Sequence, residues 1–126
     1  MLRPALVASL LFACLPAQDD AWLGQQADSL GALYRHLHMH PELSFHETAT
    51  AARMAQELRE LGLQVTEQVG GTGVVAVLAR GAGPVGLLRA DMDALPVAEE
   101  TGLPYGSTVR AAAADGRAIG AMHACG

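Results

Sequence analysis

The sequence contains no lysine, and its eight basic side chains, all arginines, are outnumbered by 13 acidic ones. The formal net charge at pH 7 is −5. Proteins that bind nucleic acid need clustered basic side chains to neutralise phosphates, and no such cluster occurs. The lack of lysine also excludes a phosphate-binding P-loop, so the glycine-rich stretch Gly70–Gly73 is better explained as a hairpin turn. Nucleic acid and nucleotides are therefore poor candidates for the ligand.

Aromatic side chains are also scarce, with only five in 126 residues. Hydrophobic residues nevertheless make up 51% and charged residues 17%, which is typical of a globular chain of about one modest domain. Aromatic side chains dominate the energetics of most cores, so their shortage suggests that part of the core lies outside this sequence. The five are Phe12, Trp22, Tyr34, Phe45 and Tyr105.

There are only two cysteines, and one of them lies in a leader-like N-terminal segment. Residues 1–17 have an early arginine, a short apolar run and then small residues, the layout of a secretory signal peptide that is too short to span a bilayer. We expect export, to the periplasm or beyond, with cleavage near Ala17. A lipid-anchored Cys14 is one alternative, and a misread start codon ahead of a cytoplasmic enzyme is a less favoured one. Cleavage would leave Cys125 as the sole cysteine, which excludes an internal disulfide.

The segment from Asp20 to His38 repeats apolar side chains at helical spacing and predicts a first helix. The residue before Pro41 is disfavoured in the helical region, so the helix should end there. His36, His38 and His40 alternate, and on a strand they would share one face. At a helix end, residues two apart point in different directions, so we expect structural histidines and not a metal site.

A second helix is predicted from the stretch that begins with Ser44. Ser44 and Glu47 have the spacing of a capping box, in which each side chain satisfies a free backbone N–H at the helix start. Gly62 is expected to close the helix in a left-handed conformation. His46, in the first turn, is expected at the surface. The predicted buried face consists of Ala52, Ala55, Leu58 and Leu61.

Three short stretches then predict strands: Gln64–Gln68, which alternates weakly, and the apolar runs Val74–Leu78 and Val85–Leu88. Short, nearly all-apolar strands after helices indicate an α/β fold with a largely buried sheet. From Thr101 onward we expect a long loop with a turn at Asp115–Gly116.

Two carboxylates, Asp91 and Asp93, directly follow the third predicted strand. Ligands in α/β folds bind at the carboxyl ends of strands, so these side chains are candidates for binding a metal or orienting a ligand to one. A solvated turn with two charges is an equal alternative on spacing alone. His123 and Cys125 near the end are strong metal ligands, but two ligands do not make a zinc site, which needs at least three from the protein.

Four stretches, "RHLHMHPELSFHETATA", "QVGGTGVVAVL", "LLRADMDALPVAEETGLPYGS" and "MHACG", occur in this order. Together they resemble the metal-dependent amidohydrolases that include hippurate hydrolase, N-acyl-amino-acid hydrolases and indole-acetyl-amino-acid hydrolases. The resemblance implies that residues 20–126 are the N-terminal part of an α/β catalytic domain with a mixed sheet, truncated before a small dimerisation domain. It also implies a homodimer that hydrolyses the amide bond of N-acyl amino acids.

By the same resemblance, Cys125 is a ligand that bridges two divalent metal ions, manganese or zinc. Asp93 matches an aspartate that orients a metal ligand, whereas Asp91 stands where the wider clan has histidine, which leaves its role open. His46 replaces a residue that is commonly acidic. The other ligands and the catalytic glutamate are expected beyond Gly126, so this chain alone should be inactive. The alternative is a non-catalytic secreted α/β module that keeps the fold without a complete site.

Overall fold

The structure, a computed structural model, describes residues 20–113 and 115–124. The predicted signal peptide and Cys125 lie outside the described residues. None of the helices in the described part of the chain is long and apolar enough to cross a membrane. The elements in chain order are α1 (Asp20–Met39), α2 (Thr48–Glu60), β1 (Gln64–Val69), β2 (Gly73–Val77), β3 (Arg110–Ala112) and β4 (Ala118–Gly120).

Helix α1 confirms the first predicted helix and ends one residue after His38. Its apolar stripe is largely open, since Leu23, Leu30 and Tyr34 keep more than half of their surface exposed. Only the C-terminal end of the helix is anchored, through His38, which is buried. The helical spacing therefore predicted the element correctly, but burial is confined to its last turn.

The predicted capping box at the start of α2 is wrong. The helix begins at Thr48 with Glu47 as its N-cap residue, three positions later than a cap at Ser44 requires. The reason is the backbone of Phe45, whose φ of 66° breaks the helical path. This left-handed conformation is costly for a bulky side chain, and Phe45 is also 83% exposed.

A more distant carboxylate caps α2 instead. Glu42 accepts hydrogen bonds from the backbone N–H of Ala49 at 3.1 Å and of Thr50 at 2.7 Å. These two amides belong to the first turn, whose N–H groups have no partner within a helix. A negative charge is also favoured at the positive end of the helix dipole. Glu42 thus fixes the loop before α2 to the helix itself.

The buried face of α2 differs in part from the predicted one. Thr50, Ala51 and Ala55 are buried, whereas Ala52 is exposed and Leu61 is 73% exposed. The face of α2 that is buried therefore lies on the Ala51 side of the helix. Packing against both strands of this hairpin is what buries that face.

The end of α2 is as predicted. Gly62 has a φ of 79°, and its N–H donates to Arg59 O at 2.8 Å, while the N–H of Leu63 donates to Leu58 O at 3.2 Å. This pair of bonds is a Schellman motif, which favours glycine because a side chain would be strained at positive φ.

Strands β1 and β2 confirm two of the three predicted strands and form an antiparallel hairpin, with Gln64 opposite Val77 and Thr66 opposite Val75. The glycine-rich stretch is the hairpin turn, as predicted. Gly73 approaches Val69 so closely that a Cβ atom there would lie 2.4 Å from the Val69 carbonyl oxygen.

The turn is also tied to α2. The hydroxyl of Thr72 donates to the Glu47 carboxylate at 2.5 Å. Burial of Glu47 opposes ionisation, but the hydrogen bonds from Thr72 and from the backbone outweigh it and lower the pKa of this carboxyl. Glu47 therefore joins the start of α2 to the hairpin as an ionised acceptor.

The third predicted strand is wrong. Residues 85–88 adopt no strand, and Val85, Leu87 and Leu88 are each more than 90% exposed. A strand needs a hydrogen-bonding neighbour, and this run has none in the described part of the chain. The predicted buried sheet is wrong for the same reason, because the described residues form two separate two-stranded sheets, β1–β2 and β3–β4.

The loop predicted from Thr101 onward is wrong in its second half. Strands β3 and β4 form an antiparallel hairpin in which Arg110 lies opposite Gly120 and Ala112 opposite Ala118. Alanine has low strand propensity, so the run gave no strand pattern. Tertiary contacts decide the outcome, because Gly120 lies so close to Ala98 that a Cβ atom would be 2.4 Å from the Ala98 Cα.

Candidate active site

The segment that carries Asp93 is held from both sides by backbone hydrogen bonds. The N–H of Ala94 donates to Glu42 O at 2.8 Å. Leu95 and Met122 exchange two bonds, of 2.9 Å from the N–H of Leu95 and 3.2 Å from the N–H of Met122. Asp93 is the residue before Ala94, and His123 is the residue after Met122. The fold therefore brings the two predicted site segments together across 30 residues of chain that no local pattern connects.

Both predicted carboxylates and His123 line one cleft of about 480 Å³. Asp91 pairs with Arg89, and both side chains are more than half exposed. The Nε2 atom of His123 is buried and has no hydrogen-bond partner among the described residues. The complete lining is Ser44, Arg89, Asp91, Asp93, Leu95 and His123.

The donor atoms in this cleft fit part of a metal site. An unpartnered imidazole nitrogen beside carboxylates offers the nitrogen and oxygen ligands that zinc and similar divalent ions take. Residues 20–113 and 115–124 contain no group of three or more His, Cys, Asp and Glu side chains close enough to hold an ion. The described residues alone therefore do not complete a metal site.

A second, larger cleft of about 550 Å³ adjoins the first and shares Ser44, Asp93 and Leu95 with it. The rest of its lining is mainly apolar, from Leu43 to Ile119. His46, exposed as predicted, also lines it.

The alternating histidines have the structural roles that the sequence predicts. His36 and His40 stack with ring centroids 4.6 Å apart, and the Nδ1 atom of His40 lies 2.7 Å from His36 O. His38 lies on neither cleft. Its Nε2 atom is 2.9 and 3.0 Å from the two carboxylate oxygens of Glu99, and its ring packs edge-on against Tyr105.

Glu99 is the residue that the sequence did not reveal. Hydrogen bonds from the Thr101 hydroxyl, from His38 and from the backbone N–H of Ser107 together lower the pKa of the Glu99 carboxyl to about 2. His38 and Glu99 are 61 positions apart, and no periodic pattern connects residues at that distance. Only the cluster of hydrogen-bond donors around this one carboxylate, visible in three dimensions, identifies it.

Several curated proteins similar to this chain are hydrolases, deacetylases or carboxypeptidases by name. Hippurate hydrolase of Campylobacter jejuni is 48% identical over 91 residues, which are 71% of this chain and 21% of that protein. N-acetyl-L-cysteine deacetylase of Bacillus subtilis is 46% identical over 93 residues, which are 73% of this chain and 20% of that protein. No family model matches. The chain thus spans about a fifth of the length of these relatives.

A solved structure agrees with the curated proteins. The YXEP protein of Bacillus subtilis, described as a dinuclear metal-binding peptidase of the M20 family, matches with a TM-score of 0.63 and 38% identity. The match covers 85% of this chain and 27% of that one. The chain is similar to a part of this M20-family peptidase and to a part of these hydrolases. Its helices and hairpins are a part of that fold, and the resemblance of the four sequence stretches is confirmed.

Proposed function

We propose that the protein to which this chain belongs hydrolyses an amide bond in N-acyl amino acids or related conjugates, with two divalent metal ions. Sequence identity of 46–48% to hippurate hydrolase and N-acetyl-L-cysteine deacetylase supports the reaction class. The observation that carries the proposal is the single cleft lined by Asp91, Asp93 and His123, whose buried Nε2 atom has no hydrogen-bond partner among the described residues. No nucleic acid partner is expected from the acidic composition.

In this proposal Cys125 bridges the two ions and Asp93 orients one of their ligands. Bound at this place, the ions would supply Lewis-acid polarisation of the amide carbonyl and activation of the attacking water. A thiolate ligand favours borderline ions such as zinc, and manganese is the alternative. The apolar cleft beside Asp93 is suited to the non-reacting part of a substrate, because ligand sites are mostly apolar with few polar groups.

The test uses the full-length protein and two substrates, an N-acetyl and an N-benzoyl amino acid. A chelator should abolish turnover, and added manganese or zinc should restore it. Turnover that survives complete removal of metal would contradict the proposal. If the metal-loaded protein hydrolyses neither these substrates nor a panel of other N-acyl amino acids, the non-catalytic module is the better explanation.

We also propose that the protein is exported and forms a homodimer. The leader-like residues 1–17 support export. Mass spectrometry of protein from an expressing bacterium should find the mature N-terminus close to Ala17, or a lipidated Cys14. An intact Met1 in the cytosolic fraction would contradict export. Light scattering of the full-length protein measures the dimer, and a monomer at micromolar concentration would contradict it.

A further inference from the structure

A buried carboxylate lies at a junction of three parts of the fold. Glu99, whose side chain is only 2% exposed, accepts hydrogen bonds from His38 in α1, from the Thr101 hydroxyl and from the N–H of Ser107 at 2.5 Å. Charged hydrogen bonds of this kind are about twice as strong as neutral ones. Neither cleft includes Glu99 in its lining, so the proposed chemistry does not explain it.

Ser107 extends the junction toward the candidate site. Its hydroxyl donates to Ala121 O at 2.7 Å and accepts from the N–H of Val109 at 3.2 Å. The N–H of Ala121 donates in turn to Val109 O at 3.3 Å. Both backbone groups of Ala121, which is 1% exposed, are therefore bound to the loop that Glu99 holds.

The other side of the same segment is also held by contacts. Gly120 is packed against the backbone of Ala98, and Met122 is bound to Leu95 through two hydrogen bonds. His123, which lines the cleft and whose buried Nε2 atom has no partner among the described residues, comes next along the chain. The backbone that leads into the last sequence motif is thus held between residues 95–98 and residues 107–109.

We propose that Glu99 is a positioning residue for the metal centre. Held by His38, it fixes the 107–109 segment, and through the Ser107–Ala121 hydrogen bond it also fixes the backbone that leads to His123. The proposal rests on the proposed function, because it assumes that the ions bind at this end of the chain. The proposal gives α1 and the loop that contains Glu99 a role in metal binding, although neither lines the cleft.

The experiment measures metal affinity and kinetics of the full-length protein. Glu99→Gln keeps the size of the side chain and one acceptor oxygen but replaces the other oxygen by an amide donor. The variant therefore cannot accept hydrogen bonds from His38, Thr101 and Ser107 together. Ser107→Ala removes the link to Ala121, and Ser107→Thr restores the hydroxyl. Glu100→Gln, at the adjacent exposed carboxylate, is the matched control.

We expect Glu99→Gln and Ser107→Ala to weaken metal binding about ten- to a hundredfold, the range seen for groups that orient ligands. In the metal-saturated protein kcat should fall and KM should stay within about twofold, because the substrate cleft is unchanged. Cobalt-substituted variants should show an altered thiolate charge-transfer band. Ser107→Thr and Glu100→Gln should match the wild type, and the double variant should lose less than the product of the two single losses.

Folded Glu99→Gln and Ser107→Ala proteins with wild-type metal affinity and cobalt spectrum would overturn the proposal. Equal losses in Glu100→Gln would also overturn it, since they would show a general effect of removing charge. If Glu99→Gln does not fold, Ser107→Ala decides alone. If the wild type binds metal and turns over substrate, and the variants do so equally well, only the positioning role is refuted. If the wild type shows no metal-dependent turnover, the proposed function itself is refuted.

Discussion

At the scale of single residues, the contact between His38 and Glu99 is the polar contact with the most hydrogen bonds around one carboxylate among the described residues. Burying a charge is unfavourable unless hydrogen bonds replace the lost water, and Glu99 receives bonds from three separate residues. The exposed pairs of the same chain, such as Arg117 with Asp115, stay in contact with solvent. Exposed pairs of this kind contribute little to stability, typically about 0–1 kcal/mol. The buried contact is the one whose removal matters.

The Glu99 carboxyl should make stability depend on pH. Its pKa falls from the ordinary value of 4.5 to about 2 in the folded protein. A lowered pKa contributes stability that is present above the unfolded value and is lost as pH falls through the folded value. Denaturant unfolding between pH 6 and pH 2 should therefore show a loss of stability below about pH 4.5 that is smaller in Glu99→Gln. Parallel pH profiles for the two proteins would contradict this assignment.

Substitutions at two residues of the candidate site should lower metal binding and turnover to different extents. Cys125→Ala should remove the shared anionic ligand of the two ions and cost the most metal and turnover of any residue in this chain. Asp93→Ala should act more mildly, about ten- to a hundredfold, because it only orients a ligand. His38→Ala should lower the melting temperature and, because it releases Glu99, should also weaken metal binding. Metal content and turnover of the full-length variants measure this order, and a Cys125→Ala protein that keeps two ions and near-normal turnover would refute the bridging role.

At the scale of elements, each helix end and turn is fixed by a specific local interaction. Glu42 caps the start of α2, a Schellman motif with Gly62 ends it, and Thr72 fastens the hairpin turn to Glu47. These contacts join α2 and the β1–β2 hairpin into one unit. That unit also orients the Glu42–Leu43 segment, which binds the backbone beside Asp93 through Ala94.

Two glycine substitutions should have opposite effects on stability. Gly62→Ala places a side chain at a φ of 79° and should destabilise the protein by about 1–2 kcal/mol. Gly24→Ala lies within α1 with no atom within 4 Å of the new methyl group, and should stabilise by roughly 0.5–1 kcal/mol. Thermal unfolding of both variants against the wild type measures the two signs. Equal shifts in the same direction would mean that backbone conformation does not control these positions.

At the scale of the whole molecule, the apolar side chains that are buried among the described residues are all small. The buried hydrophobic residues are Ala51, Ala55, Ala94 and Ala121, and none of the large side chains in the described ranges is fully buried. Many large apolar side chains are exposed instead, among them the run at residues 85–88. Contiguous exposed apolar surface of this kind marks an interaction surface or a site of aggregation.

The 126-residue chain expressed by itself should therefore bind a hydrophobic dye strongly and aggregate. The double substitution Leu87→Gln and Leu88→Gln should reduce dye fluorescence and raise solubility, because both side chains are more than 90% exposed. Leu61→Gln, at an isolated position that is 73% exposed, serves as the control and should have a smaller effect. Equal dye binding by all three proteins would show that the 85–88 run is not the exposed apolar surface.

The elements with local causes could be predicted from the amino-acid sequence. Apolar side chains at helical spacing predicted α1 and α2, weak alternation predicted β1, an apolar run predicted β2, and Gly62 predicted the end of α2. These signals are readable because the interacting residues lie within a few positions of one another. At the candidate site no local pattern connected Asp93 with Cys125, and only the family resemblance implied that both serve one metal centre.

Where distant segments meet could be seen only in three dimensions. The 85–88 run has strand composition but no hydrogen-bonded neighbour among the described residues, and the alanine-rich 110–120 segment lacks strand composition but forms a hairpin against Ala98. The capping of α2 by Glu42, and the pairing of His38 with Glu99 across 61 positions, likewise depend on the fold. The physical reason is that hydrogen-bond partners and burial belong to neighbours in space, which a local sequence pattern does not specify.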